Sequence, residues 1–157
     1  RVDARIAEAL EDMLQAARSE GLDPVVCSSY RTQDYQAGLY ERKIGQYMEK
    51  GYGRTAAAAA AARWVAPPGT SEHQLGLAVD IVSSSFQVLD SRQEKTAEQQ
   101  WLMEHCWEYG FILRYPSDKS DITGIAYEPW HYRYVGKQAA REIAEQGVCL
   151  EEYLGKA

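Results

Sequence analysis

This sequence predicts an α+β fold with a central, mainly antiparallel sheet flanked by helices. Three observations predict it. Segments with helical spacing mix irregularly with short apolar runs, so neither an all-helical nor an all-strand chain fits. The runs after Gly110 are separated by short polar turns rather than crossover helices, which favours antiparallel pairing over a doubly wound parallel sheet. No internal repeat and no long linker divides the 157 residues, a length that suits a single domain over 1–157 with one sizeable core.

Residues 3–19 carry Ile6, Leu10, Met13, Leu14 and Ala17 at helical spacing, and Gly21 suits the stop. Pro24 to Ser28 is a short apolar run that reads as a buried strand, delivering Ser28, Ser29, Tyr30 and Arg31 at its end. Residues 32–50 read as a second helix with Tyr35, Leu39, Ile44 and Tyr47 as a loose stripe, broken by Gly51 and Gly53. The seven alanines 56–62 read as a short helix, because Ala loses no side-chain entropy on becoming helical. Pro67, Pro68 and Gly69 then open a loop.

Leu75 to Val82 alternates apolar and small residues and predicts a central strand. A polar stretch, 83–90, reads as a loop or short edge strand. Ser91 with Glu94, and Thr96 with Gln99, both match a capping box, and a helix is expected on to Tyr109, closed by Gly110. Phe111–Tyr115 and Ile122–Tyr127 read as two strands joined by a polar turn, followed by a strand at Trp130–Val135. Gly136 to Gly147 is a final helix, with Val148–Leu150 as a last short strand.

Composition excludes several functions. A net charge of -6 without any Lys/Arg-rich run leaves no basic face to neutralise phosphates, so a nucleic-acid partner is not expected. No stretch approaches the roughly 20 apolar residues of a membrane span, and none is expected to touch a membrane. The four Trp and eleven Tyr are enough to furnish a core and also to line a groove. Three cysteines, Cys27, Cys106 and Cys149, are an odd number without CxxC spacing, which fits buried free thiols, with room for one bridge. A chain that begins at Arg1 rather than Met reads as a mature or trimmed fragment.

Chemistry concentrates in two segments. His73 lies in Ser71-Glu72-His73-Gln74-Leu75-Gly76-Leu77-Ala78-Val79-Asp80, and His131 lies in Glu128-Pro129-Trp130-His131. Imidazole and carboxylate are the usual non-thiolate zinc ligands, and three of them with an open fourth position make a catalytic site. Taken singly, a His followed by an Asp is more often an ordinary polar pair. The third histidine, His105, lies between Glu104 and Cys106 on a helix and receives no role. Glu128 is placed to act as a general base, provided that a turn at Pro129 brings it beside His131, since residues three apart on a strand point to opposite faces.

These segments resemble the VanY-type D-alanyl-D-alanine carboxypeptidases, zinc peptidases grouped with D-Ala-D-Ala dipeptidases and the hedgehog-like peptidase domains. The resemblance extends over nearly the whole chain. It includes Ser29-Tyr30-Arg31 with Gln36, Pro68-Gly69-Thr70-Ser71-Glu72-His73, Gly110 to Pro116, and Tyr127 to Gly136. It implies one Zn2+ held by His73, Asp80 and His131, with Glu128 as general base and a catalytic role for Arg31. By the same match Ser29, Gln36, Ser71 and Trp130 are substrate-binding residues. The implied reaction is hydrolysis of the C-terminal D-Ala-D-Ala bond of peptidoglycan stem peptides. L,D-carboxypeptidase action on tetrapeptide stems and cell-wall endopeptidase action are the alternatives. The implied place is the bacterial cell envelope or the extracellular space, with an N-terminal anchoring segment missing from this sequence. A monomer is expected.

Overall fold

The structure, a computed structural model, describes residues 1–155. Its first helix, α1 (Ala4–Ser19), buries Ile6, Leu10, Met13, Leu14 and Ala17, the stripe that its spacing predicts. Asp3 caps it by accepting a hydrogen bond from Arg5 N. The chain continues through β1 (Pro24–Ser28), α2 (Gln33–Glu49), α3 (Arg54–Ala62), β2 (Ala78–Ser83), α4 (Ala97–His105) and β3 (Phe111–Leu113). It ends with α5 (Ser120–Thr123), β4 (His131–Tyr134), α6 (Lys137–Gln146) and α7 (Leu150–Tyr153).

The four strands form one antiparallel sheet in the order β1-β2-β4-β3. Every residue of β2 is buried, and the strand's pleat divides them between two faces. Val79 and Ile81 join Tyr132 and Phe111 against Ile6, Leu10 and Met13 of α1 and Trp101 and Leu102 of α4. That is the main core. The residues in between face the other way, and there Asp80 pairs directly with His131 across β2 and β4. The pleat therefore delivers two polar side chains to the second face.

Helices α2 and α3 pack on each other through Ile44, Ala57 and Ala61, with Tyr40 and Tyr47 at the edge. Both alanines are fully buried. The alanine run thus serves a close helix pair, and its helix starts two residues earlier than the run, at Arg54.

Some sequence expectations fail for local reasons. The strand expected from Leu75 begins only at Ala78, because Glu72–Leu75 winds into a 3-10 turn that Gly76 closes at φ 69°. A Cβ at Gly76 would stand 2.8 Å from Asp3 N, so the approach of the N-terminal segment requires glycine there. The strand expected at Ile122–Tyr127 is absent: Ser120–Thr123 is helical, Gly124 caps it, and Ala126 N donates to Arg63 O at the end of α3. The strand expected at Val148–Leu150 is also replaced by a helix start, since the Glu152 carboxylate accepts from Cys149 N at 2.8 Å. Of the two capping boxes, Thr96 does cap α4, but Gln99 turns into the core rather than closing the box. Asp90, not Ser91, caps the 3-10 turn at Ser91–Lys95. All three thiols are free, and Cys27 is exposed rather than buried. No helix among the described residues is long and apolar enough to cross a membrane.

Candidate metal centre

The 3-10 turn before β2 carries His73, which is 1% exposed. Its Nδ1 lies 2.8 Å from Ser29 O. A carbonyl only accepts, so Nδ1 carries the proton and Nε2 keeps its lone pair. Asp80 projects from the middle of β2. Its Oδ2 accepts from Arg31 Nη2 at 2.6 Å, while Oδ1 stands 3.3 Å from His73 Nε2 and 3.2 Å from His131 Nδ1. One ligand atom from each of His73, Asp80 and His131 falls within 4.8 Å of the others.

His73 Nε2 and Asp80 Oδ1 are buried without a hydrogen-bond partner. An orphaned buried polar atom costs about 1–3 kcal/mol, and few survive in native proteins without a reason. Two imidazoles and a carboxylate converging on one point are a donor set suited to zinc. The residues present therefore fit the metal.

Electrostatics point the same way. Burial opposes the charge on Asp80, but the two histidines close to its Oδ1 hold its pKa well below the usual range. Burial also pulls His131 down, yet Asp80 and Glu72 outweigh it and raise its pKa to about 9. His73 is lowered, chiefly by burial. Carboxylates of Asp80 and Glu72 thus stand on either side of the His131 ring, an arrangement that favours positive charge there.

Glu128 stands beside the triad because the chain turns at Pro129 and Trp130, with His131 N donating to Glu128 O at 3.2 Å. Its Oε2 lies 3.5 Å from His131 Nδ1. Burial raises its pKa to about 8, against the pull of the His131 charge. The carboxyl is thus tuned into the range where it can exchange a proton near neutrality.

These groups line a cavity of about 220 Å³ together with Arg31, Ser71 and Trp130. One wall comes from Leu39 and Lys43 of α2 and from Trp64 after α3, with the Lys43 ammonium 5.5 Å from the Trp64 ring centre. A second cavity of about 330 Å³ lies between β3 and α6; it contains no His and no such constellation.

Two residues expected to bind substrate sit elsewhere. Ser29 does not line the cavity: its hydroxyl accepts from Arg1 N, and its carbonyl orients His73. Gln36 is fully buried and bridges Arg31 Nη1 to Ala66 O, so it supports two residues of the cavity wall without lining it. Arg31 itself is braced by Ser28 Oγ at 2.9 Å as well as by Asp80. The sequence reading missed a layer behind His131. Glu72 Oε2 lies 3.8 Å from His131 Nε2, and Glu72 Oε1 is held by Arg114 and Arg133. The one available signal was a carboxylate adjacent to a ligand candidate.

Comparison with known proteins agrees with this geometry. The family model of VanY D-alanyl-D-alanine carboxypeptidases matches residues 1–137. A D-alanyl-D-alanine carboxypeptidase of Enterococcus faecalis is 49% identical over 154 residues, covering 98% of this chain and 56% of that protein. The chain thus spans about half the length of its curated relatives. Among solved structures, a vancomycin-resistance D,D-pentapeptidase VanY in complex with Zn(II) is 50% identical, with a TM-score of 0.88 and coverage of 98% of this chain and 84% of the other. VanYB in complex with D-alanine-D-alanine is also 50% identical, with a TM-score of 0.91 and coverage of 99% and 83%. The LD-carboxypeptidase LdcB is 41% identical, with a TM-score of 0.85 and coverage of 99% and 69%. A shared fold, a family model across most of the sequence and close relatives along its full length agree: the chain belongs to the VanY D-alanyl-D-alanine carboxypeptidase family.

Proposed function

We propose that this chain hydrolyses the C-terminal D-Ala-D-Ala bond of peptidoglycan stem peptides, using one zinc ion held by His73, Asp80 and His131. The observation that carries the reading is the pair of orphaned buried atoms, His73 Nε2 and Asp80 Oδ1, beside His131 and within reach of Glu128. Zinc, when bound, polarises a carbonyl and lowers the pKa of water.

The chain's own groups supply the rest. Glu128 accepts a proton from the attacking water and returns it to the departing amine as the C–N bond breaks. Its raised pKa suits a carboxyl that must do both, and a nearby cation draws that value down towards neutrality. Arg31 is fixed by Asp80 and Ser28, and its planar fork retains N–H groups for a substrate carboxylate or a developing oxyanion. Lys43 is the other cation lining the cavity. Ser71 and Trp130 shape the cavity around the scissile bond. Hydrolysis proceeds without a covalent enzyme intermediate, and every group invoked comes from one chain, as a monomer requires. Its substrate places the protein outside the cytoplasmic membrane, in the cell envelope or beyond it.

The likeness to LdcB favours a second reading, L,D-carboxypeptidase action on tetrapeptide stems, which the same centre could perform. Mass spectrometry of products from pentapeptide and tetrapeptide stems separates the two. Amidating the C-terminus abolishes cleavage by a carboxypeptidase and leaves an endopeptidase unaffected.

Glu128→Gln is the direct test. Turnover should fall about 100- to 10,000-fold with one zinc still bound per chain. Near-normal turnover in that variant would sink the mechanism.

A further inference from the structure

Glu72 is a partly buried carboxylate whose two oxygens have unequal surroundings. Oε1 accepts from Arg114 Nε at 2.8 Å and lies 3.0 Å from Arg133 Nη1. Oε2 is buried with no hydrogen-bond partner, and the same is true of His131 Nε2, 3.8 Å away. A shift of roughly 1 Å would bring the two to ordinary N–H···O distance. On its other side Arg114 offers a fork to Glu151, with Nη1 at 2.9 Å from Oε2 and Nη2 at 2.5 Å from Oε1. Glu151 belongs to α7, beyond the residues matched by the family model. Lys119 and the backbone of Cys149 hold its neighbour Glu152, so the helix start is itself anchored.

We propose that the chain Glu151–Arg114–Glu72 is a brace that orients the His131 ring for metal binding, with Glu72 accepting the Nε2 proton so that Nδ1 is the ligating nitrogen. The proposal rests on the zinc reading above. Its logic is steric and electrostatic. A neutral imidazole binds metal through one nitrogen, and a carboxylate on the other fixes the tautomer and the ring plane. Glu72 could not serve alone, because a free carboxylate so close to the triad could swing in as a competing ligand. The two guanidiniums pin its Oε1 and leave only Oε2 for His131. Glu151 then neutralises Arg114, so that Glu72, Arg114, Arg133 and Glu151 together carry no net charge. Without Glu151, an unbalanced cation would remain behind a site that must accept a dication. The C-terminal helix becomes a positioning element for the metal, although it contributes nothing to the cavity wall.

The test measures zinc affinity by chelator competition in the full chain, together with thermal unfolding of the metal-free protein. Glu72→Ala should weaken zinc binding roughly 10- to 100-fold, and Glu151→Gln roughly 10-fold, the range typical of partners behind a metal ligand. Glu151→Asp, which retains the charge, should recover part of that loss. If Glu72→Ala fails to fold, the two Glu151 variants decide the matter, since that residue lies nearer the surface. A merely structural clasp would lower the unfolding temperature and leave zinc affinity unchanged, and that result overturns the brace. Wild-type protein that binds no zinc would instead overturn the metal reading itself, so the two failures are distinguishable.

Discussion

The two faces of the central sheet come from the same strands, yet they are held to different physical requirements. On one face Val79, Ile81 and Tyr132 meet α1 and α4 in the main core. On the other, Asp80 and His131 stand opposite each other, one residue along the same strands. The apolar face is stabilised by burial, at about 25 cal/mol per Å² removed from water. The polar face has four buried polar atoms without partners, on Glu72, His73, Asp80 and His131. Natural folds tolerate such orphans chiefly where function requires them. The first face holds the second in place, and the donor set gathered on the second is one that could hold a metal ion.

The largest effects should separate the two faces cleanly. His131→Ala removes a ligand and should reduce bound zinc from about one per chain to near zero, with loss of hydrolysis. Its effect on the stability of the metal-free protein should be the smaller one, because the lost ring was only partly satisfied. Ile81→Ala should do the reverse: a loss of about 2–5 kcal/mol in denaturant unfolding, with zinc stoichiometry kept. Metal analysis and unfolding of both variants provide the check. Loss of zinc in folded Ile81→Ala would show that the faces are not separable.

Legibility differed between the faces for the same reason. The stripe of α1 repeats every three or four residues, so Ile6, Leu10 and Met13 announce their burial locally. The cap at Thr96 is equally local. His73, Asp80, His131 and Glu128 stood out as candidates in two short motifs, but only the resemblance along the whole chain gave them roles. Even the turn that carries Glu128 to His131 was foreseeable from Pro129. The brace was not, because Glu72, Arg114, Arg133 and Glu151 meet only after the chain has folded, and a charged residue in sequence looks solvated. Ile122–Tyr127 misled for the opposite reason: its β-branched residues look like a strand, but Gly124 and the contact of Ala126 with Arg63 settle the backbone elsewhere. Ser29 and Gln36 were found as residues, but their tasks, a carbonyl for His73 and a prop for Arg31, depend on three-dimensional neighbours.

A smaller effect should appear with pH. In the metal-free protein His131 has its pKa raised from 6.5 to about 9, and Glu128 from 4.5 to about 8. Both groups bind more protons folded than unfolded in these windows, so stability falls as pH rises from 7 towards 9. Glu72 and Asp80, lowered instead, contribute stability that is fully present above the ordinary carboxylate range and do not change in this window. Zinc affinity should move oppositely, rising over the same interval as the proton it displaces from His131 becomes easier to remove. Melting curves of metal-free protein at pH 7 and pH 9, with chelator competition at both, would show the opposed slopes. A metal-free protein more stable at pH 9 would contradict the assigned protonation of the polar face.

The smallest effect tests whether polarity on the core side behaves differently from polarity on the site side. Tyr132 follows His131 on β4 but points into the apolar face, where it is fully buried. Its hydroxyl donates to Gln99 Oε1 at 2.7 Å, and Gln99 Nε2 donates to Ile81 O, so α4 is hydrogen-bonded to the sheet inside the core. Unlike the atoms across the strand, each of these has a partner. Tyr132→Phe keeps the ring and leaves Gln99 Oε1 unpaired, which should cost about 1–2 kcal/mol. Zinc affinity should stay unchanged despite the adjacency to a ligand, because successive side chains on a strand point to opposite faces. A drop in zinc affinity without greater destabilisation would mean that the backbone of β4 transmits strain from one face to the other, and the two faces would then be separate in chemistry and not in mechanics.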